Sequence, residues 1–335
     1  MREIRLNSNV GIGPNRPPFV IAEMSGNHNG SLDRALAIVD AAADAGVSAL
    51  KIQTYTADTM TIDVNRPGFR IDDPKSLWSG RTLYDLYRKA STPWAWHKSI
   101  FERCAARGII GFSTPFDPTA VDFLEKLGVP LYKIASFENV DLPLIRRVAR
   151  TRKPVIISTG MATETEVGEA VEAARSAGCR DLVLLKCTSA YPALPASANL
   201  ETIADLRRRF DCHAGLSDHT LGTAVSVAAV ALGAVAIEKH FTLKRADGGV
   251  DSAFSMEPAE MSALVKDAEA ARQARGRVTY GPSKAETPSL AFRRSLYVVR
   301  DVRKGEKLTT ENIRPIRPGF GLAPKHLEAV LGRTV

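Results

Sequence analysis

Cysteine is scarce in this chain: four in 335 residues, at 104, 179, 187 and 212, with no Cys-x-x-Cys pair. That excludes a disulfide framework and a cysteine-built zinc cluster, and it suits free thiols in a reducing cytoplasm. Long apolar runs are also lacking. The longest, 224–237, is Ala-rich, broken by Ser226 and Gly233, and too short to cross a bilayer. The opening MREIRLNSNVG holds no apolar core of the kind a secretory signal needs, so none is expected. No Gly-x-Gly-x-x-Gly opens the first helical stretch, which counts against a dinucleotide-binding domain. Basic residues outnumber acidic ones 45 to 37, a net charge of +8. The basic clusters at 146–153, 207–209 and 293–294 are well separated, and no aromatic residues interleave them. They read as solvated faces, so neither a nucleic acid nor a membrane is an expected partner. A positive balance does suit an anionic small-molecule substrate.

What is present is a regular alternation. Apolar, β-branched runs at 19–22, 49–53, 109–113, 131–135, 155–158, 182–186, 213–216 and 234–238 predict eight strands. Amphipathic stretches at 31–45, 94–107, 118–127, 143–150, 164–177, 200–210, 221–232 and 258–274 predict the helices between and after them. Ser31 and Thr163 are placed to cap, with acidic residues in the next turn. Near-continuous apolar strands separated by helices imply a parallel sheet covered on both faces. Eight such units in about 275 residues fit a (β/α)₈ TIM barrel, class α/β, over residues 1–276. The second connection, 55–93, is long and holds an amphipathic segment at 83–90, which predicts a structured excursion over the barrel mouth. After Gly276 the texture changes. Residues 277–291 are polar and read as a linker, and 292–335 as a small second domain that must dock on its own barrel or on a partner subunit.

The chemistry sits where the strands end, on the face that carries active sites in such barrels. Strand one ends in Glu23, followed by Ser-Gly-Asn-His-Asn-Gly. Strand two carries Lys51 and Gln53 on one side. Strand three runs into Ser113-Thr114-Pro115-Phe116, and strand four carries Lys133 and leads to Ser136. Strand five ends at Ser158, strand six at Lys186 before Ser189, strand seven at Ser217-Asp218-His219, and strand eight at Glu238-Lys239-His240. A single Lys51–Glu23 bridge would be ordinary, and either histidine alone reads as a loop hydrogen-bonder. Charged residues at every strand end call for a site instead. Three lysines there would repel one another without an anion between them. Lysines with Ser/Thr hydroxyls bind phosphate and carboxylate, two neutral imidazoles can hold a divalent cation, and Glu23 can move protons. Asp251, beyond strand eight, could support the metal or its water. Together they point to carbon–carbon bond chemistry on a phosphorylated or carboxylated substrate.

The motifs IAEMSGNHNGS, LKIQTY, STPFD, YKIAS, ISTGM, LLKCTSAYP, GLSDHT, EKHF and RPGFGL together resemble the sialic acid synthase family, over nearly the whole chain. Glu-Met-Ser-Gly-Asn-His-Asn, LWSGRTLYDLY, TPWAWH and DSAFS are similar to its pseudaminic acid synthase branch. The resemblance implies a TIM barrel followed by a small antifreeze-like (SAF) domain. It implies condensation of phosphoenolpyruvate with an open-chain amino sugar, 2,4-diacetamido-2,4,6-trideoxy-L-altrose in that branch, with release of phosphate. By motif, His219 and His240 would hold Mn²⁺, or Mg²⁺ or Co²⁺, which would activate the sugar aldehyde and position the attacking water. Glu23 would be the acid/base. Lys51, Thr114, Lys133, Ser136, Ser158, Lys186 and Ser217 would hold phosphoenolpyruvate, with Gln53, Phe116 and Ser189 also in the substrate site. Tyr191 and Asp251 would contact the sugar or the metal's water. Arg317 would reach the neighbouring subunit's pocket in a domain-swapped homodimer. Family members usually continue past the Leu-Gly-Arg at 331–333 with a further strand and turn, so the small domain is expected to be cut short. The alternatives are N-acetylneuraminate or legionaminate synthase, and a catalytically silent carbohydrate-binding barrel.

Overall fold

A computed structural model describes residues 1–74 and 76–335 as two compact units, Met1–Gly276 and Arg277–Val335. In the first unit, eight parallel strands close into a barrel: β3 (Phe19–Glu23), β4 (Ala49–Thr54), β5 (Ile110–Pro115), β6 (Tyr132–Ile134), β7 (Val155–Ser158), β8 (Leu182–Cys187), β9 (His213–Ser217) and β10 (Ala236–His240), with β10 pairing back onto β3. They are preceded by a two-stranded hairpin, β1 (Ile4–Arg5) and β2 (Gly11–Ile12), which carried no clear signal in the sequence.

Period-two alternation on each strand divides the residues. Val20, Ala22, Leu50, Ile52, Tyr132, Ile134, Ile157, Leu184 and Ile237 face outward into one apolar cluster with the helices. Phe19, Ile21, Ala49, Ile110, Phe112, Leu131, Ile156, Val183, Leu185 and Ala236 form a second cluster inside, plugged from below by Ile4 and Ile12 of the hairpin. Two residues further along, the inward positions become Glu23, Lys51, Thr114, Lys133, Ser158, Cys187 and Glu238. The barrel interior is therefore oily at the amino ends of its strands and charged at their carboxyl ends. Gly215 is required in this packing, because a Cβ there would meet the Ala236 carbonyl oxygen and, at 2.8 Å, Leu185.

The helices follow from their end signals. In α1 (Leu32–Asp44) Ser31 accepts from the Arg34 amide, and in α7 (Glu164–Ser176) Thr163 and Glu166 form a capping box. Asp117 caps α5 (Pro118–Leu127), which stops at Gly128 with φ +71°. Residues 221–223 stay outside α9 (Ala224–Ala231), because Gly222 takes φ +74° in a turn. The long excursion is structured: α2 (Ala57–Met60), an Arg70–Thr82 bridge and α3 (Leu83–Ala90). Among the described residues no helix is long and apolar enough to cross a membrane.

In the second unit, β11 (Ser295–Val298) pairs antiparallel with β12 (Ile313–Ile316). Residues Thr287–Phe292, inside and just past the segment read as a linker, form a 3-10 turn. The last residues pair as well: the Val335 amide donates to the Glu306 carbonyl, and Lys307 bridges Thr334.

Candidate active site

At the carboxyl ends of the strands lies a cavity of about 60 Å³. Among its lining residues are Glu23, Lys51, Gln53, Thr114, Lys133, Ser136, Ser158, Tyr191, Ser217, His219 and His240, all given a site role from the sequence, and Cys187 and Glu238, which were given none. A larger groove of about 730 Å³ sits at the other end of the barrel, against Val10, Phe101 and Ile110, without such convergence of ionisable groups.

The strand register brings opposite charges together. Glu23 pairs with Lys51 across β3 and β4, and Lys51 Nζ lies 2.6 Å from Glu23 Oε2 and 3.1 Å from Thr114 Oγ1. Gln53 donates to Glu23 Oε1 at 2.9 Å. Lys133 donates to Glu238 Oε1 at 3.2 Å, and Lys51 stands 3.9 Å from the same oxygen. Ser217 also donates to it. The negative charge that these lysines call for is supplied in part by the protein itself. Glu23 and Glu238 balance Lys51 and Lys133, because burying an ion is tolerable only when it is paired. Glu238 was noted at the end of strand eight but given no role. It follows the same inward alternation as Ala236 and His240, and that signal could have found it.

Lys186 stands apart from these groups. Its Nζ turns aside to the Cys187 carbonyl at 2.7 Å and to Thr188 Oγ1, outside the cavity lining. Phe116 packs edge-on against Tyr55, with ring centroids 5.2 Å apart, and is likewise outside the lining. Ser189 is not among the lining residues, and its hydroxyl lies 3.7 Å from Cys187 Sγ. Ser136 accepts from the Gly160 amide at 3.1 Å, and a Cβ at Gly160 would collide with both Ser136 and Ser189. Asp251 stands beside the cavity, its Oδ2 3.9 Å from His240 Nδ1. Arg317 belongs to the second unit, exposed just after β12.

Burial and charge set the proton affinities. Burial, reinforced by Glu238, pushes the Glu23 carboxyl up against the pull of Lys51. Burial pulls Lys133 down. Burial also opposes ionisation of Glu238, but Lys133 and Lys51 outweigh it and hold that carboxyl low. Burial, with His219 and the lysines nearby, keeps His240 well below its ordinary value and hence neutral. Cys187 is raised by burial but brought down to about 7 by its hydrogen bond and charge interaction with His219. Glu138, on the turn after β6, is pushed by burial to about 7 and was also missed.

The two imidazoles are neighbours, with centroids 5.4 Å apart. His219 Nδ1 lies 3.0 Å from the Thr188 carbonyl oxygen, a contact that directs the other ring nitrogen outward as a ligand. His240 Nδ1 is buried and without a hydrogen-bond partner, as are Ser158 Oγ and Glu238 Oε2. Among the described residues no group of three or more His, Cys, Asp or Glu side chains is arranged to hold a metal. Two neighbouring imidazoles, His240 kept neutral and carrying an orphaned nitrogen and His219 raised by Cys187 against burial, nevertheless fit a divalent ion that would take the place of the His219 proton and keep open positions for substrate and water. Tyr191 covers the pair, 4.4 Å from His219 and 6.2 Å from His240, and Trp78 of the excursion leans on Tyr191 at 6.0 Å.

Comparison with known proteins is consistent with this picture. The chain is 43% identical to the pseudaminic acid synthase of Campylobacter jejuni, covering 94% of this chain and 91% of that one. It is 37% identical to the N,N'-diacetyllegionaminic acid synthase of Legionella pneumophila, covering 94% and 89%. The crystal structure of N-acetylneuraminic acid (sialic acid) synthetase from Leptospira borgpetersenii superposes with a TM-score of 0.76 at 32% identity, covering 86% of this chain and 95% of that one. The SAF domain model matches residues 293–335. The NeuB family model matches residues 38–280, across the barrel that carries this site, and the chain belongs to the NeuB family.

Proposed function

We propose that this chain is a pseudaminic acid synthase, which condenses phosphoenolpyruvate with 2,4-diacetamido-2,4,6-trideoxy-L-altrose and water to give pseudaminic acid and phosphate. The observation that carries the reading is the convergence of Lys51, Thr114, Lys133, Ser136 and Ser158 with Glu23 and the His219–His240 pair at one barrel mouth. The likeness to the Campylobacter enzyme supports the choice of sugar.

Lys51 and Lys133 neutralise the carboxylate and phosphate of phosphoenolpyruvate, and the hydroxyls of Thr114, Ser136, Ser158 and Ser217 bind their oxygens. The enol π pair forms the new bond to the aldehyde carbon, the aldehyde oxygen takes a proton, water adds at carbon 2, and the bond from carbon 2 to the phosphate oxygen breaks. Glu23, already raised by burial, holds a proton more firmly once a second anion lies beside it, and can deliver that proton and receive the water's. His219 and His240 would hold the divalent ion, Mn²⁺ by preference, with Mg²⁺ or Co²⁺ able to replace it. When bound, that ion supplies Lewis-acid polarisation of the aldehyde oxygen. Tyr191 and Asp251 face the sugar. In the second unit Arg317 reaches a partner subunit's pocket in a domain-swapped homodimer; exposed Phe292 and Phe320 there, 64% and 78% accessible, support a docking role. The reaction runs in the cytoplasm.

A substrate panel read by phosphate release tests this. Phosphate should appear only with both phosphoenolpyruvate and the altrose derivative, vanish with chelator and return with Mn²⁺. Turnover with N-acetylmannosamine or the legionaminate precursor instead would move the chain to a neighbouring branch. Silence with every sugar would end the reading.

A further inference from the structure

The segment after β3 contributes far more than its last residue, Glu23. Ser25, Asn27 and Asn29 alternate along it, and each reaches the loop beyond β10. Asn29 donates to the Gly248 carbonyl at 3.0 Å, Asn27 to Ser255 Oγ at 2.8 Å and to the Phe241 carbonyl at 2.9 Å. Ser25 Oγ donates to Asp251 Oδ2. Trp78 Nε1 holds the same loop at the Val250 carbonyl, 2.9 Å away. One carboxylate, Asp251, is thus fixed beside His240 by a loop gripped from two sides.

Ser25 makes its bond from an unfavourable conformation. Its φ is +45°, the left-handed region in which a Cβ is disfavoured and glycine is at ease, and the residue is only 4% exposed. If only the turn mattered, glycine would serve better there. A buried residue held in a sparsely populated backbone region beside the reacting groups points to a role for its side chain. Among the described residues, the hydroxyl's hydrogen-bond partner is Asp251.

We infer that Ser25 is a positioning residue of this site: its hydroxyl aims the Asp251 carboxylate at the space in front of His240, where the sugar end of the substrate pair is handled. The inference rests on the function proposed above. Ser25 is not among the residues that line the cavity. It donates to Asp251 Oδ2, so the remaining lone pairs of that carboxylate are presented in one direction.

Two substitutions separate orientation from stability. Ser25→Gly removes both the hydroxyl and the strained Cβ, whereas Ser25→Ala removes the hydroxyl and keeps the strain. The melting temperature should therefore stay level or rise for Ser25→Gly and fall for Ser25→Ala. Both should lose kcat to a similar extent, ~10- to 100-fold, the usual scale for losing a group that orients a ligand-binding side chain. The KM for phosphoenolpyruvate should not move. In an Asp251→Asn background Ser25→Gly should add little further loss, since the two residues act as one unit. Wild-type kcat in Ser25→Gly, or activity that simply tracks melting temperature across the two variants, overturns the inference. Absence of phosphate release by the wild-type enzyme would overturn the proposed function instead, so the two failures are distinguishable.

Discussion

The two ends of the barrel are made by the same eight strands and could hardly differ more. At the amino ends, Phe19, Ile21, Phe112, Ile156 and Leu185 meet Ile4 and Ile12 of the hairpin in an apolar plug. Two residues on, Glu23, Lys51, Lys133 and Glu238 face one another, and Ser158, Glu238 and His240 keep polar atoms without partners. One end is satisfied and the other is not. Burying unsatisfied groups costs free energy that the plug and the helix-facing cluster must offset, so the mouth is where stability is surrendered for chemistry.

That contrast can be broken from either end. Replacing His240 with Ala at the mouth should lower kcat by ~10³-fold or more, the cost of losing one of the two imidazoles proposed to hold the ion, with the melting curve nearly unchanged because His240 Nδ1 has no hydrogen-bond partner to lose. Steady-state phosphate release and thermal denaturation together check it; a large drop in melting temperature would mean that His240 is structural. Phe112→Ala in the plug should do the reverse, costing about 3–5 kcal/mol in denaturant unfolding while folded molecules keep their kcat. Loss of turnover per folded molecule would show that the two ends are coupled.

The smallest effect is a pH dependence at Glu138. Its carboxyl is held at about 7 by burial, above its unfolded value. Between the ordinary carboxylate range and pH 7 the folded state binds the extra proton, so its contribution to stability is present at low pH and is lost as pH rises through about 7. Glu138→Gln removes that titration. Denaturation midpoints at pH 5 and pH 8 should show the variant gaining on the wild type as pH rises. An equal difference at both pH values would contradict the assignment.

Much of this was legible because period and burial coincide. The outward positions of 19–22, 49–53 and 155–158 are apolar, and the ends of these segments fall within a residue or so of the observed strands. Read at 234–238, the last strand runs Ala236–His240, since Ala234 and Val235 are as apolar as Ala236 and Ile237 and nothing local marks the start. Glu238 was in plain view but not singled out, because only the closed barrel shows that it faces Lys133 across 105 residues. Lys186 and Phe116 lie outside the cavity lining for different reasons: Lys186 has the outward parity of Leu184, opposite to Leu185 and Cys187, and Phe116 falls just past the end of β5. Ser25 could not be read at all, because its φ and its bond to a residue 226 positions away are tertiary facts.

By itself the sequence determined the (β/α)₈ alternation, the end of the barrel that carries chemistry, and the kinds of group gathered there. These depend on local periodicity and on residue type, which the chain carries at every position. Only the tertiary structure decided which charges pair, which nitrogen is left without a partner, and which serine is strained to aim an aspartate. Those depend on closure of the barrel, which brings residues far apart in sequence within hydrogen-bond reach and removes the water that would otherwise satisfy them.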